Sequence, residues 1–217
     1  VDIEPVFQFF KAFRKRRMQL FYRRFKITPQ TRVLDLGGRE FNWTLMPFIP
    51  HVTIVNRILE GKRSGKIVWI IGDVRELPFA DKAFEIVYSN SVIEHLGAVA
   101  DQRRFADECR RVGRSYYIQT PNRRFPIEPH LLTPFIHWLP IKLQARLLRN
   151  FTVWGWITRP DAAACAHFLN TTRMLSRTEL KAHFPDAEIW TERFLWLAKS
   201  FVAVKIDSER EDESESN

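Results

Sequence analysis

"RVLDLGGREFN", residues 32 to 42, decides how the rest of the chain is read. Val33, Leu34 and Leu36 make a short buried strand with Asp35 inside it. Gly37-Gly38 breaks the strand and a polar turn follows. A strand that runs into a glycine pair is how a nucleotide-binding loop opens in an α/β fold. The G-x-G-x-x-G fingerprint of dinucleotide-binding enzymes is missing. A loop of the form D-x-G-x-G would want glycine at position 39, where Arg39 stands. This counts against a nicotinamide-dependent oxidoreductase and leaves two readings: a loop for another ligand, or a tight turn.

Working outward, elements alternate. "TRVLDLG", "VTIVN", "KIVWIIGD", "FEIVYSN" and "RSYYIQTP" read as strands, separated by helices or connections. "FNWTLMPFI" is expected to hold a short helix cut by Pro47, and "DQRRFADECRRVG" a longer one ended by Gly113. "SRTELKAHF" is a helix with Ser176 as its N-cap and Glu179 at the capping-box position. "AEIWTERF" and "LAKSFVAVKI" close the chain as two strands joined by a short turn. The expected fold is α/β: a Rossmann-like, doubly wound, seven-stranded, mostly parallel sheet with one antiparallel strand. Residues 121–172 break the alternation. They read as an insertion after the fifth strand, packed over the sheet's carboxyl edge, where open α/β sheets bind ligands.

The 217 residues, 45% apolar and with 18 Phe, suffice for one domain of this kind. No apolar run approaches the roughly 18 residues of a spanning helix, and no secretory signal opens the chain. Cys109 and Cys165 form no C-x-x-C pattern and read as free buried thiols in a reducing, cytoplasmic compartment. The net charge of +9 is unevenly spread. Lys11, Arg14, Lys15, Arg16, Arg17, Arg23, Arg24 and Lys26 are threaded through aromatic residues in 1–28 with no acid among them. On that helix Phe10, Phe13, Leu20 and Phe21 are expected to share a side. The tail from 207 to 217 is acidic, without an apolar residue, and expected to be disordered. The basic remainder favours an anionic partner: the lipid headgroups of a membrane surface, a phosphorylated substrate or, less favoured, nucleic acid.

Four segments carry a family resemblance: "VLDLGG", "GDVRELPFADKAFEIVYSNSVIEHL", "ECRRVGRSYYIQTPN" and "ERFLWLAKSFVAVK". The chain resembles a class I S-adenosylmethionine-dependent methyltransferase of the type-11 group, by motif over roughly 30–122 and by its closing elements over 176–206. The resemblance implies the cofactor S-adenosyl-L-methionine and a methyltransferase domain over 29–206. Asp35 would orient the glycine turn and the methionine amino group. Gly37 and Gly38 would admit the backbone to the cofactor. Asn56 stands where the family usually has an acid on the ribose hydroxyls. Asp73, with the Val74 amide beside it, would read the adenine amine, and Asn90 would face the sulfonium. The cofactor has no pyrophosphate, so the loop tolerates Arg39 with its side chain turned outward.

The acceptor is expected near "TPNRRFPIEPHLLTPFIHWLP", residues 120 to 140, whose prolines fix an irregular path. For a hydroxyl acceptor the protein must align it and remove a proton. His95, Glu128 and His130, with Glu94, are the candidate catalytic groups; pinning of the loop by Glu128 and His130 is the bland alternative. Only the Glu128/His130 pair has ligand-like spacing and nothing in the sequence clearly completes it, so no metal site is expected. "FIHWLPIKLQARLLRNFTVWGW" mixes large apolar residues with Lys142, Arg146 and Arg149, as a packed lid or an interfacial membrane element would. The expected function is methyl transfer to a small-molecule or lipid-linked acceptor at the cytoplasmic membrane face. The rivals are a non-catalytic module of the same fold and a nucleic-acid methyltransferase. "SNSV" follows the fourth strand where base-methylating relatives carry an Asn-Pro-Pro-aromatic or Asp-Pro-Pro-aromatic motif.

Overall fold

The computed structural model describes residues 4–58 and 65–207, with side chains from Arg14 onward. The acidic tail beyond Asp207 and the aromatic residues Phe10 and Phe13 of the first helix therefore lie outside the described residues or side chains. The chain opens with α1 (Glu4–Arg24) and continues through β1 (Arg32–Leu36), α2 (Glu40–Trp43), β2 (His51–Asn56), β3 (Ile67–Ile71) and β4 (Phe84–Asn90). A 3-10 turn (Ile93–Leu96), α3 (Val99–Val112) and β5 (Gly113–Pro121) follow. Next come the short strands β6 (Ile127–Glu128) and β7 (Thr133–Pro134), a second 3-10 turn (Ile136–Trp138), α4 (Ile141–Phe151), α5 (Val153–Thr158) and α6 (Ala162–Thr171). The last elements are α7 (Arg177–His183), β8 (Glu188–Phe194) and β9 (Leu197–Lys205).

Seven strands form one sheet in the order β3-β2-β1-β4-β5-β9-β8. β1 pairs in parallel with both β2 and β4, and β2 with β3. β8 and β9 are joined by Leu195 and Trp196 alone, which turns the chain back as a hairpin. The seven strands and the antiparallel closing element are those the alternation predicts. The pair β6–β7 forms its own antiparallel ribbon, which the sequence pattern did not announce. Two residues per strand leave no periodicity to read.

Two compact units divide the chain. The first holds Val1–Asn90, Asp107–Ile118 and Val204–Asn217; the second holds Ser91–Ala106 and Gln119–Ala203. In the first unit the second half of α1 belongs to the core. Met18, Phe21, Tyr22 and Phe25, spaced three, four and seven apart, are buried. The Phe21 ring lies 4.9 Å from Tyr88, 5.1 Å from Phe25 and 5.4 Å from Tyr117, while Tyr88 and Tyr117 stack at 5.6 Å. Leu20, expected on the same side as Phe21, is instead exposed. It sits about 100° round the helix from Phe21. The stripe therefore runs through Met18 and Phe25, and exposed Lys15, Arg16, Arg23 and Arg24 occupy the rest.

The second unit has a small apolar centre of Leu131, Ile136, Leu148 and Cys165, with Leu147, Trp154 and Phe168 packed against it. α4 is thus a packed helix on its Leu147–Leu148 side. Thr152, Asp161 and Ser176 cap α5, α6 and α7 by accepting from the amides of Gly155, Ala164 and Glu179. The capping box expected at Ser176 and Glu179 is complete in both directions. Cys109 and Cys165 are free and buried, as expected.

Candidate active site

The first unit lines up its candidate residues along one edge. β3, β2, β1 and β4 are consecutive and parallel, so their carboxyl ends share a rim. Asp73 follows β3, Asn56 ends β2, Gly37-Gly38 follow β1 and Asn90 ends β4. All the candidate cofactor residues fall on these four strand ends, with Val74 beside Asp73 and largely buried.

The glycine loop is built tightly. Gly37 adopts φ +69°, a left-handed conformation that glycine takes without strain, and donates its amide to the Val55 carbonyl at 2.8 Å. Gly38 is glycine for a reason internal to the chain: a Cβ there would sit 1.9 Å from Asp35 Oδ2. The family resemblance implies that both glycines admit the cofactor; the Asp35 carboxylate by itself already excludes a side chain at 38. Arg39 is exposed on extended backbone, φ −136° and ψ 151°, so position 39 needs no glycine. Asn56 Nδ2 reaches the Gly38 carbonyl at 3.4 Å and ties the end of β2 to the loop.

Asp35 is fully buried. Trp43 Nε1 donates to its Oδ2 at 2.8 Å, and no described group bonds its Oδ1. Burial pushes its carboxyl up to about 7, against the lowering effect of the Trp43 bond. An orphaned oxygen beside the glycine turn fits an amino group of a bound ligand. Asp73 is different. Arg75 donates to both its oxygens, at 2.9 Å from Nε and 2.5 Å from Nη2, and its own amide adds a third bond. The Arg75 bonds hold Asp73 down at about 2. It stands charged and clamped, with lone pairs to spare for an amine. Asn90 Oδ1 accepts from Arg17 of α1, a partner that no local pattern announces.

The second unit brings together the other candidates across the insertion. His130 Nδ1 lies 2.7 Å from Glu128 Oε1, and His130 Nε2 lies 3.0 Å from His95 Nε2. Glu128 is buried, and its second oxygen accepts from the Leu131 amide. Burial works to lower His130, but the Glu128 bond and charge outweigh it and raise it. Glu94 is wholly buried. Its Oε2 accepts from Thr120 Oγ1 at 3.0 Å, its Oε1 lies 3.8 Å from His130 Nε2, and burial pushes it up to about 7. The sequence found nothing to complete a cation site with Glu128 and His130. The structure supplies Glu94 and His95 and turns Glu128 to the far side of the His130 ring.

Gln102 is a site residue that the sequence missed. It is buried on α3, donates to the Ile93 and Arg173 carbonyls at 3.1 Å each, and accepts from Arg173 Nη1 at 2.7 Å. It thereby fixes the turn bearing Glu94 and His95. Among the charged residues of "DQRRFADECRR" nothing distinguishes it. Beside these groups lies a pocket of about 480 Å3 lined by Arg123, Arg124, Glu128, Leu131, Trp138 and Phe168, among others. Its size is that of small-molecule sites.

Residues 52–116 match the model of a methyltransferase domain family, type 11. A curated relative from Encephalitozoon cuniculi, described as a methyltransferase, is 37% identical over 89 residues, 39% of this chain. That match spans 41% of the relative's length. The N-methyltransferase NodS from Bradyrhizobium japonicum WM9, solved with S-adenosyl-L-homocysteine, superposes with a TM-score of 0.53 at 13% identity, over 88% of this chain and 85% of NodS. The PH0226 protein from Pyrococcus horikoshii OT3 gives a TM-score of 0.58 at 15% identity, over 90% and 89%. The strand order and the four strand ends agree with the fold of these solved structures, and residues 52–116 are similar to the type-11 methyltransferase domain family.

Proposed function

We propose that the protein is an S-adenosylmethionine-dependent methyltransferase acting on a small-molecule or lipid-linked acceptor at an anionic membrane face. One observation carries the reading: Gly37-Gly38, Asn56, Asp73 and Asn90 stand at the carboxyl ends of four adjacent parallel strands. The cofactor, when bound, supplies an activated methyl group. Asp35 accepts from an amino group through its unpaired oxygen. Asn56 bonds hydroxyls through its amide, without the charge assistance of an acid. Asp73, ionised by its Arg75 clamp, accepts from an exocyclic amine.

The second unit holds the acceptor in this reading. A neutral hydroxyl must lose its proton as it is methylated, and the Glu94, His95, Glu128 and His130 cluster is the place for it to go. The Nδ1 of His130 donates to Glu128 Oε1, which turns the Nε2 lone pair into the cluster. The pocket adds Arg123 and Arg124 to an apolar wall, as an anionic, partly apolar acceptor would need. Support for a membrane face comes from exposed Phe135, Trp138, Ile141, Phe151, Trp156 and Ile157 in this unit and the exposed cations of α1. Among the described residues no helix is long and apolar enough to cross a membrane.

The test is transfer of label from methyl-labelled S-adenosylmethionine into a cell extract separated into small-molecule, lipid and nucleic-acid fractions. The reading expects label in the small-molecule or lipid fraction with the wild-type protein, reduced with Asp73→Ala. Label confined to nucleic acid, or none in any fraction, would overturn it. Cosedimentation with vesicles should require anionic lipid and weaken with salt; sedimentation that ignores both would remove the membrane part.

A further inference from the structure

We propose that Glu94, His95 and His130 bind one divalent transition-metal ion of the zinc class within the second unit. One donor atom from each lies within 4.8 Å of the others. His95 Nε2 and His130 Nε2 are 3.0 Å apart, and Glu94 Oε1 is 3.8 Å from His130 Nε2. Ligands roughly 2.0–2.1 Å from a tetrahedral zinc ion stand about 3.3 Å from one another. These two edges fall on either side of that value, and the third is at most 4.8 Å, so rotation of the side chains about their own torsions brings the three donors onto one ion.

A second observation points into the same space. Glu94 is 0% exposed, and its Oε1 is bonded by no group among the described residues. A buried carboxylate oxygen without a partner is rare and calls for an explanation. A cation coordinated by Oε1 provides one, and Thr120 already holds Oε2.

Each of the three donors is also held from behind. Glu128 Oε1 takes the Nδ1 proton of His130 at 2.7 Å, which leaves Nε2 as a lone pair facing His95. Thr172 Oγ1 lies 3.4 Å from His95 Nδ1, so its hydroxyl accepts the ring proton once Nε2 ligates. Thr120 orients the Glu94 carboxyl. A carboxylate behind a ligating imidazole is the outer arrangement that fixes tautomer and raises ligand basicity in metal sites. The backbone is fixed as well: the Arg173 amide donates to the Glu94 carbonyl at 2.6 Å, and Gln102 bridges Ile93 to Arg173.

Two imidazoles and one carboxylate select zinc and its neighbours over magnesium or calcium, which prefer all-oxygen shells. Three protein ligands leave a fourth position, as in zinc sites that act on a bound oxygen. A hydroxyl or water placed there becomes more acidic, and with the ion bound its proton leaves to solvent, because the ligating nitrogens no longer accept one. That use of the ion rests on the methyltransferase reading; the binding of the ion does not.

The experiment uses the full chain, stripped with a chelator and dialysed. Zinc is titrated in competition with a chromogenic chelator, and cobalt(II) is added in parallel to read the d–d absorption of its ligand set. One ion per chain is expected, with cobalt bands of a low-coordinate nitrogen/oxygen site. His95→Ala, at an exposed position, and His130→Ala should each weaken binding by at least about 100-fold, with circular dichroism unchanged. Glu128→Gln should weaken it by about 10–100-fold, the usual effect of losing an outer partner. Absence of a stoichiometric ion in the folded wild type would overturn the proposal, as would equal affinity in His95→Ala and His130→Ala. S-adenosylhomocysteine is titrated into the same metal-free sample. Zinc binding without heat from that ligand supports the metal site while counting against the methyltransferase reading; the reverse result does the opposite.

Discussion

The carboxylate of Asp35 fills the space that a side chain on Gly38 would need, with a Cβ on Gly38 falling 1.9 Å from Oδ2 and 2.1 Å from the carboxyl carbon. Asp35 cannot swing away, because it is fully buried and bonded to Trp43. Gly38→Ala should therefore destabilise the protein by about 1–3 kcal/mol, the usual cost of overpacking. The cost should shrink when Asp35→Ala is already present, since the colliding group is gone. A double-mutant cycle by chemical denaturation reads this coupling; additive effects would show that the two residues do not meet.

Asp35 also makes stability depend on pH. Its folded value of about 7 lies above the ordinary carboxyl value of 3.8, so the folded state binds more protons between the two. Stability from this group is present below about pH 4 and is lost as pH rises through about 7. The slope is at most about 1.4 kcal/mol per pH unit for one proton. Asp35→Asn stays neutral, so the difference in unfolding free energy, wild type minus variant, should fall between pH 4 and 7. A flat difference across that range would mean that Asp35 is ionised in the folded state.

Ser176 caps α7 and shares a capping box with Glu179, whose carboxylate also holds Arg173. Ser176→Ala should cost about 0.5–2 kcal/mol, visible as a lower thermal midpoint. A variant as stable as the wild type would mean that the remaining bonds of Glu179 hold the helix start alone.

Gln102 makes three bonds from a buried position, two of them to backbone carbonyls on either side of the cluster. Gln102→Leu should destabilise by about 1–3 kcal/mol, because it strands those partners in a buried setting. Hydrogen exchange should quicken most at 93–96 and 172–175. Quickening spread evenly over the chain would assign Gln102 a general structural role.

The sheet was legible because its strands are short apolar runs bounded by Gly, Pro and polar turns. The capping box at Ser176 was legible because it is a local pattern. The cluster was legible only in its parts. Glu128 and His130 stand two residues apart, but their meeting with His95 spans 35 residues and depends on an irregular, proline-fixed path. The contacts from α1, Phe21 on Tyr88 and Arg17 on Asn90, reach across more than 60 residues, and no periodicity encodes them. The helix α6 did have a signal, the N-cap Asp161 before the alanine-rich "AAACAHFLNT", but its mixed faces carry no amphipathic period to mark it.

The central claim is that the strand-end rim of the first unit binds S-adenosylmethionine, and calorimetric titration with its demethylated product, S-adenosylhomocysteine, tests it most directly. The account predicts one site per chain in the wild type and a loss of about 1–3 kcal/mol in Asp73→Ala, which removes the acceptor for the adenine amine. Gly37→Val, which forces a branched side chain into a loop at φ +69°, should abolish binding. No heat from the folded wild-type protein at millimolar ligand, or equal affinity in Asp73→Ala, would contradict it.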